Sequence, residues 1–233
     1  MFFSIIALVT GAILAGKFYA NNKTNEAMGL VANTLGLHFI AAGWLTRASM
    51  SGKHLGIEVS VFEDVRGSGK SKTRWAVYRA TIPKQRVPVG LVLYREGFGS
   101  KIGKLFGGQD IQVGDAEIDQ ALIVRGAQVA EIREFFARPG VKQTLLELNT
   151  MCPNFRFEDG SIKLEYMAAL RETVVIRNNI ETLVRATLQI AGIERDALKA
   201  TAPPRALAAG VPAQDPWAPP QAPTNDENSS GHW

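Results

Sequence analysis

A glycine loop that closes on a lysine and a serine is the first place in this chain where residue types and spacing suggest chemistry. Gly67-Ser68-Gly69-Lys70-Ser71 matches the end of a phosphate-binding loop, in which G-x-x-x-x-G-K-[ST] wraps backbone N–H groups around the phosphates. The first glycine of that pattern falls at Asp64, whose carboxylate repels phosphate. Beyond Ser71 comes the β-like run Thr73-Arg-Trp-Ala-Val-Tyr-Arg79, where a phosphate site needs a helix N-terminus. Val65 to Lys72 is therefore read as the polar loop of a hairpin.

Asp110, Asp115, Glu117 and Asp119 form a second candidate. Oxygen-rich clusters of this kind hold Ca²⁺ or Mg²⁺, but the EF-hand spacing puts Gln120 in the glycine position and Gly126 in that of the final glutamate. The cluster reads as a polar turn in which Asp119 bonds nearby backbone. Cys152, the lone cysteine, can make neither an internal disulfide nor a Cys-rich zinc site. As a nucleophile it would need a histidine. His38 and His54 fall in or beside expected strands with no spacing that connects them to it, and there is no Gly-x-Ser-x-Gly elbow. Cys152 reads as core packing. No catalytic residue, cofactor or metal ligand is assigned.

Charge is the remaining signal. From Arg66 to Arg95 the chain carries eight basic residues and no acidic one. Arg66, Lys70, Lys72 and Arg74 surround the glycine loop and are the candidates to face anionic lipid headgroups, where each nearby Lys or Arg contributes about 1 kcal/mol. The net charge of +4 over 233 residues is too small to argue for nucleic acid. Trp75 and Tyr78, the available stacking residues, alternate onto opposite strand faces. Nucleic acid is thus not expected as a partner.

These residues need elements to position them. Phe2 to Gly16 is uncharged, and Lys17, Phe18, Tyr19 and Ala20 follow with snorkelling and interfacial character. Up to Ala20 a helix spans about 28 Å, close to the roughly 30 Å hydrocarbon core. A signal peptide is disfavoured, because the run lacks a basic leader and has Phe18 where cleavage wants a small residue. Lys17 and Lys23 place the C-terminal side in the cytoplasm. A second span over 27–45 is disfavoured by Asn33, Thr34, His38 and three interrupting glycines.

Glu26 to Leu37 has helical spacing, with Leu30, Thr34 and Leu37 on one side. Leu55, Ile57, Val59 and Val61 alternate as one strand face, Thr73 to Ile82 supplies the hairpin partner, and Val89 to Tyr94 is a further strand. Gln112–Val113 and Ala121–Val124 are short strand candidates. Ala127–Ala137 and Val141–Asn149 read as helices, with Val129, Ile132, Phe135 and Phe136 on one face of the first. Phe155 and Phe157 alternate before Asp159-Gly160, and Ile162, Leu164 and Tyr166 alternate after it, which is a type I′ hairpin. Ala168 to Leu198 reads as a long helix, with Leu170, Val174, Leu183, Val184 and Leu188 recurring and Arg177 and Glu181 paired. Residues 200–233 hold seven prolines and no hydrophobic period, which predicts disorder. Trp217 and Trp233 are the tail's candidate docking residues for a protein partner.

Three short stretches carry a resemblance. Leu35-Gly36-Leu37 ends a helix, Gly52 to Val59 is similar to a Gly-x-x-Gly-x-x-Val stretch with its second glycine at Gly56, and Val113-Gly114-Asp115-Ala116-Glu117-Ile118-Asp119 is followed by Val124-Arg125-Gly126. The last resembles a Val-Gly-Asp-x-x-Phe-Asp…Val-x-Gly pattern with Ile118 in the Phe place. With these the chain resembles a recurrent type of uncharacterised bacterial membrane-associated protein. The resemblance implies a membrane-tethered domain and assigns no catalytic residue.

The expectation is an α+β protein: a transmembrane anchor at 1–20, a mostly antiparallel sheet with helices packed on it at 21–199, and a disordered tail at 200–233. Its expected partners are the lipid bilayer and a protein bound by the tail. The expected role is a single-pass, membrane-anchored interaction or scaffold module on the cytoplasmic face. The alternative is a membrane-anchored enzyme with a site assembled around residues 110–119.

Overall fold

Alternation of apolar and polar residues along β-branched segments builds a sheet with one dry face, and the helices supply its cover. The computed structural model describes residue 19 and residues 21–43, 46–83, 86–95 and 110–193. The expected anchor, apart from Tyr19, and the whole tail with Trp217 and Trp233 lie outside the described residues. Among the described residues no helix is long and apolar enough to cross a membrane.

The chain runs from helix α1 (21–35) into β1 (His38–Ile40), β2 (Ser49–His54), β3 (Ile57–Arg66) and β4 (Thr73–Thr81). Then come β5 (Val92–Arg95), α2 (Ala116–Ala121), β6 (Leu122–Arg125), α3 (Val129–Ala137) and α4 (Val141–Met151). The β7 (Arg156–Glu158) and β8 (Ser161–Tyr166) hairpin and α5 (Thr173–Ala191) follow. The eight strands form one sheet in the order β1-β2-β3-β4-β8-β7-β5-β6, and every neighbouring pair is antiparallel. The expected α+β class and mostly antiparallel sheet are thus present.

One face carries Ile57, Val59 and Val61 of β3, Ala76, Tyr78 and Ala80 of β4, and Ile162 and Leu164 of β8, all buried. They join Met28 and Val31 of α1, Ile132 and Phe135 of α3, Leu145 of α4 and Ile180 of α5 in one continuous core. The other face carries the intervening residues, among them Glu58, Ser60, Asp64 and Arg66 of β3, which are half-buried or exposed.

Several elements differ from the sequence expectation, each for a local reason. In α1 the buried stripe is Thr24, Ala27, Met28, Val31 and Ala32, while Leu30 is 56% exposed and Thr34 is exposed with it. Leu37 is buried only because the helix stops at Gly36 (φ +70°) and the Leu37 N–H turns back to Ala32 O at 2.8 Å. Leu55 is not on the β3 face; it sits at φ +49° with Gly56 at +75° in the β2–β3 turn. Strand β1 begins at His38, which was expected in or beside a strand, whereas no strand was assigned to residues 49–54. Ser49-Met-Ser-Gly-Lys-His54 has a single apolar residue, Met50, and is a strand because it pairs along β3 with Met50 opposite Val61.

Gln112 and Val113 form no strand; the Val113 N–H goes to the Asp119 carboxylate at 2.9 Å. Val89 is 74% exposed, and β5 begins at Val92 after a turn at Gly90 (φ +71°). Val129 is partly exposed at the start of α3. The last helix starts at Thr173 and not Ala168, since tight turns carry the Ala168 and Arg171 N–H groups back to Tyr166 O and Ala169 O. Val174 is consequently exposed, whereas Leu170, before the helix, is buried. The helix ends at Gly192 in the left-handed region (φ +66°).

The Asp159-Gly160 turn is present as read, at φ +52° and +68°, with Phe157 opposite Ile162. A β-branched residue resists positive φ. Gly160→Val should therefore lower stability by about 1–2 kcal/mol, a fall of about 2–8 °C in thermal midpoint. A Cβ there would only touch Val87 and Ile82 O at ordinary distances. An unchanged midpoint would show that the turn relaxes to another type.

Candidate functional site

The β3–β4 hairpin places the expected basic residues, and its register splits them. Arg66 lies opposite Thr73, and Val65 opposite Arg74. Because side chains alternate across a strand, Arg66 emerges on the open face and Arg74 on the helix-covered face. Lys70 lies in a short 3-10 turn, Gly69–Ser71, at the hairpin tip, and Lys72 follows it, exposed. The glycine loop is thus a hairpin connection, as expected.

On the open face Arg66 works as a clamp. Its two Nη groups donate to the two Glu165 oxygens at 2.8 Å each, and its Nε donates to Asp64 at 2.9 Å. The guanidinium lies 4.9 Å from the Trp75 ring centre, and Lys163 reaches Glu165 at 2.7 Å. Burial alone would raise the Glu165 carboxyl, but the Arg66 and Lys163 hydrogen bonds outweigh it and hold the group at about 2. The same pairing with Glu165 pushes Arg66 up, and Arg66 holds Asp64 below the usual carboxylate range. The clamp ties β3 to β8 across β4, so the Arg66 charge is largely neutralised within the sheet.

On the helix-covered face the apolar alternation of β3 breaks at its end. After Ile57, Val59 and Val61 the next inward residue is Glu63, and after Ala80, Tyr78 and Ala76 the next inward residue of β4 is Arg74. The two pair at 3.2 Å, and the other Glu63 oxygen accepts the Leu170 N–H at 3.1 Å. Above this pair opens a cleft of about 400 Å³, bounded by the first described turns of α1, residues 42–43 and 46–48, and β3–β4. Asn21 and Thr24 line it from α1, Thr46 and Arg47 from the segment before β2, and Lys72 and Arg74 from the hairpin. Its wall is fixed by Asn25, whose side-chain oxygen accepts the Ala42 N–H at 2.7 Å while its amide donates to Ala42 O at 3.1 Å.

The cleft is polar and positive: Arg47, Lys72 and Arg74 face one carboxylate, Glu63. Arg47 contacts Asp64 at 3.5 Å, but Asp64 is already held more closely by Arg66. Lys72 has no ion-pair partner among the described residues. Thr24 is 2% exposed and its hydroxyl has no hydrogen-bond partner among the described residues. A buried hydroxyl without a partner costs about 1–3 kcal/mol, and this one belongs to a residue of the cleft wall. The sequence singles out Lys72 and Arg74 but not Thr24, Arg47 or Glu63. The inward charge where β3 alternation demands an apolar residue was the signal for Glu63.

The acidic cluster does other work. Asp115 caps α2, accepting the Glu117 and Ile118 N–H groups at 3.1 and 3.3 Å, and Asp119 accepts those of Val113 and Gly114 at 2.9 and 3.0 Å. The local bonding expected of Asp119 is present; the short helix behind it was not expected. Lys142 bridges Asp115 and Glu117 at 2.8 and 3.0 Å, and Asp110 pairs with Arg125 at 2.9 Å. The Lys142 ammonium keeps the Asp115 carboxyl below its usual range, and Lys142 is raised in turn. None of these four carboxylates lines the cleft. Cys152 is fully buried, as expected, and burial pushes its thiol up, away from the reactive thiolate. His38 and His54 lie on the β1 and β2 edge of the sheet.

Comparison of the chain with models of protein families, with curated proteins and with solved structures finds no match.

Proposed function

We propose that this protein is a membrane-tethered interaction module whose domain rests with its β3–β4 hairpin end against an anionic lipid surface. The observation that carries this reading is a juxtaposition. Asn21 and Thr24 follow directly on the apolar run that ends at Ala20, and they line the same cleft as Arg47, Lys72 and Arg74. An anchor at 1–20 would bring that cleft and the Gly67–Lys72 loop to the level of the headgroups. There a few cations suffice to orient a tethered domain, because the tether keeps their effective concentration high. The resemblance to membrane-associated proteins points the same way. The tail, with Trp217 and Trp233, is then the arm that takes a protein partner in the cytoplasm.

The test uses full-length protein in nanodiscs of phosphatidylcholine, with and without phosphatidylglycerol. Hydrogen exchange over residues 66–74 should slow about fivefold in the anionic discs, the equivalent of about 1 kcal/mol. The protection should vanish at 1 M salt, where the screening length is about 3 Å. Equal exchange in the two discs, extraction of the protein by alkaline carbonate, or alkaline phosphatase activity from a C-terminal fusion would each overturn the reading.

A further inference from the structure

We infer that the cleft between α1, residues 46–48 and the β3–β4 hairpin is a binding site for a phosphomonoester group. The inference deepens the membrane reading above and rests on it for the source of the ligand, though not for the chemistry of the site.

The cavity of about 400 Å³ is within the size range of small-molecule sites. Such sites are mostly apolar; this one has Ala42, Ala48 and Val65 in its wall, but three cations, two hydroxyls and the Asn21 amide stand beside them, so its occupant carries polar groups. The sign of the charge follows from the lining: three cations against one carboxylate leave a surplus of two positive charges, from which the 3.5 Å contact of Arg47 with Asp64 takes only a part, since Asp64 is shared with Arg66 at 2.9 Å. A phosphomonoester carries about −1.5 to −2 at neutral pH and matches that surplus. A carboxylate would leave it half-compensated.

The donor geometry agrees. The cations come from two separate elements, Arg47 from the segment before β2 and Lys72 and Arg74 from the hairpin, and the Thr24 hydroxyl comes from a third. A tetrahedral group with three unesterified oxygens can take donors from three directions, whereas a planar carboxylate is suited to a single bidentate fork. The Glu63 carboxylate does not defeat the anion, because Arg74 at 3.2 Å and the Leu170 N–H at 3.1 Å hold its two oxygens. Arg74 spends only one of its nitrogens on Glu63, which leaves the rest of its fork for the ligand. The Thr24 hydroxyl, buried and unpartnered among the described residues, gains in the phosphate the acceptor it lacks.

A phosphomonoester can reach the cleft as the headgroup of phosphatidic acid or as a soluble ester. Full-length protein in phosphatidylcholine nanodiscs is titrated with glycerol phosphate by calorimetry. Hydrogen exchange over residues 66–74 is then compared in discs containing phosphatidic acid and in discs of equal charge containing phosphatidylglycerol, a diester. The variants are Lys72→Gln and Arg47→Gln, both at exposed positions, and Thr24→Val, which removes the hydroxyl at constant size. Lys53→Gln, exposed on β2 and outside the cleft, is the control.

The expected result is glycerol phosphate binding that weakens about tenfold in Lys72→Gln and Arg47→Gln, about 1.4 kcal/mol each. It should weaken severalfold in Thr24→Val and stay unchanged in Lys53→Gln, with greater protection by phosphatidic acid than by phosphatidylglycerol. Binding of glycerol phosphate without any preference for phosphatidic acid upholds the cleft with a soluble ligand and removes its lipid source. Protection by both anionic lipids that persists in the cleft variants upholds the membrane reading and overturns the cleft. Absence of glycerol phosphate binding together with equal protection by the two lipids overturns the cleft as well.

Discussion

Replacing Glu63 with alanine should lower the unfolding free energy by about 3 kcal/mol, and replacing it with glutamine should cost only about half of that. Glu63 stands at an inward position of β3 with its side chain 8% exposed. One oxygen satisfies the Leu170 N–H, the other the Arg74 guanidinium. Alanine strands the Leu170 N–H away from water, which costs about 1–3 kcal/mol. It also leaves Arg74 without its counter-charge, but Arg74 is 40% exposed and can turn to solvent, so the loss there is well short of a fully buried broken pair. Glutamine keeps an acceptor for Leu170 and presents an amide to Arg74, donor against donor, so it recovers the first term and not the second. For a domain of this size 3 kcal/mol is about 6–12 °C in thermal midpoint, measurable on detergent-solubilised full-length protein. A fall under about 1 kcal/mol would mean that water reaches the Leu170 N–H through the cleft floor, and the cleft would then be larger than its walls indicate.

How far such a site can be seen in sequence depends on whether its signals are local. The Asp159-Gly160 hairpin was legible because one dipeptide sets the two positive φ angles and the flanking alternation sets the register. The β3–β4 hairpin was legible for the same reason. Strand β2 was not, because Ser49-Met-Ser-Gly-Lys-His54 owes its conformation to the edge of β3, a tertiary cause that propensity does not carry. In α1 the periodicity was read on the Leu30, Thr34 and Leu37 side, but the sheet covers the side with Ala27, Met28, Val31 and Ala32. The cleft combines both situations. Lys72 and Arg74 were visible as part of a basic stretch, but Arg47 and Thr24 lie 27 and 50 residues from Arg74 and join it only when α1 crosses the end of the sheet. The split of Arg66 and Arg74 onto opposite faces was implicit in the two-residue strand period. It turns one apparent basic patch into a structural clamp and a separate ligand-ready cleft.

The clamp makes the second large prediction, which concerns acid. Glu165 titrates at about 2 in the folded protein against an ordinary 4.5. A carboxylate whose folded value lies below its unfolded one stabilises the fold above the unfolded value, and that stabilisation fades as pH falls toward the folded one. The Glu165 contribution should therefore be complete above about pH 5 and disappear as the pH approaches 2. Each unit of separation corresponds to about 1.4 kcal/mol. Arg66 is 40% exposed and partly solvated, which reduces the pair's worth to about 2 kcal/mol. Asp64 and Asp115 are also held low by their partners, so the acid sensitivity of the wild type alone would mix several groups. The informative quantity is the difference in unfolding free energy between wild type and Glu165→Gln, measured by urea titration at a series of pH values. The glutamine side chain mimics the protonated acid, so this difference should be about 2 kcal/mol near neutrality and close to zero near pH 2. Arg66→Gln should shrink it without abolishing it, because one of the two cations that depress Glu165 is gone and Lys163 remains at 2.7 Å. A difference that stays constant down the whole series would show that shape and packing at Glu165, and not its charge, hold β3 to β8.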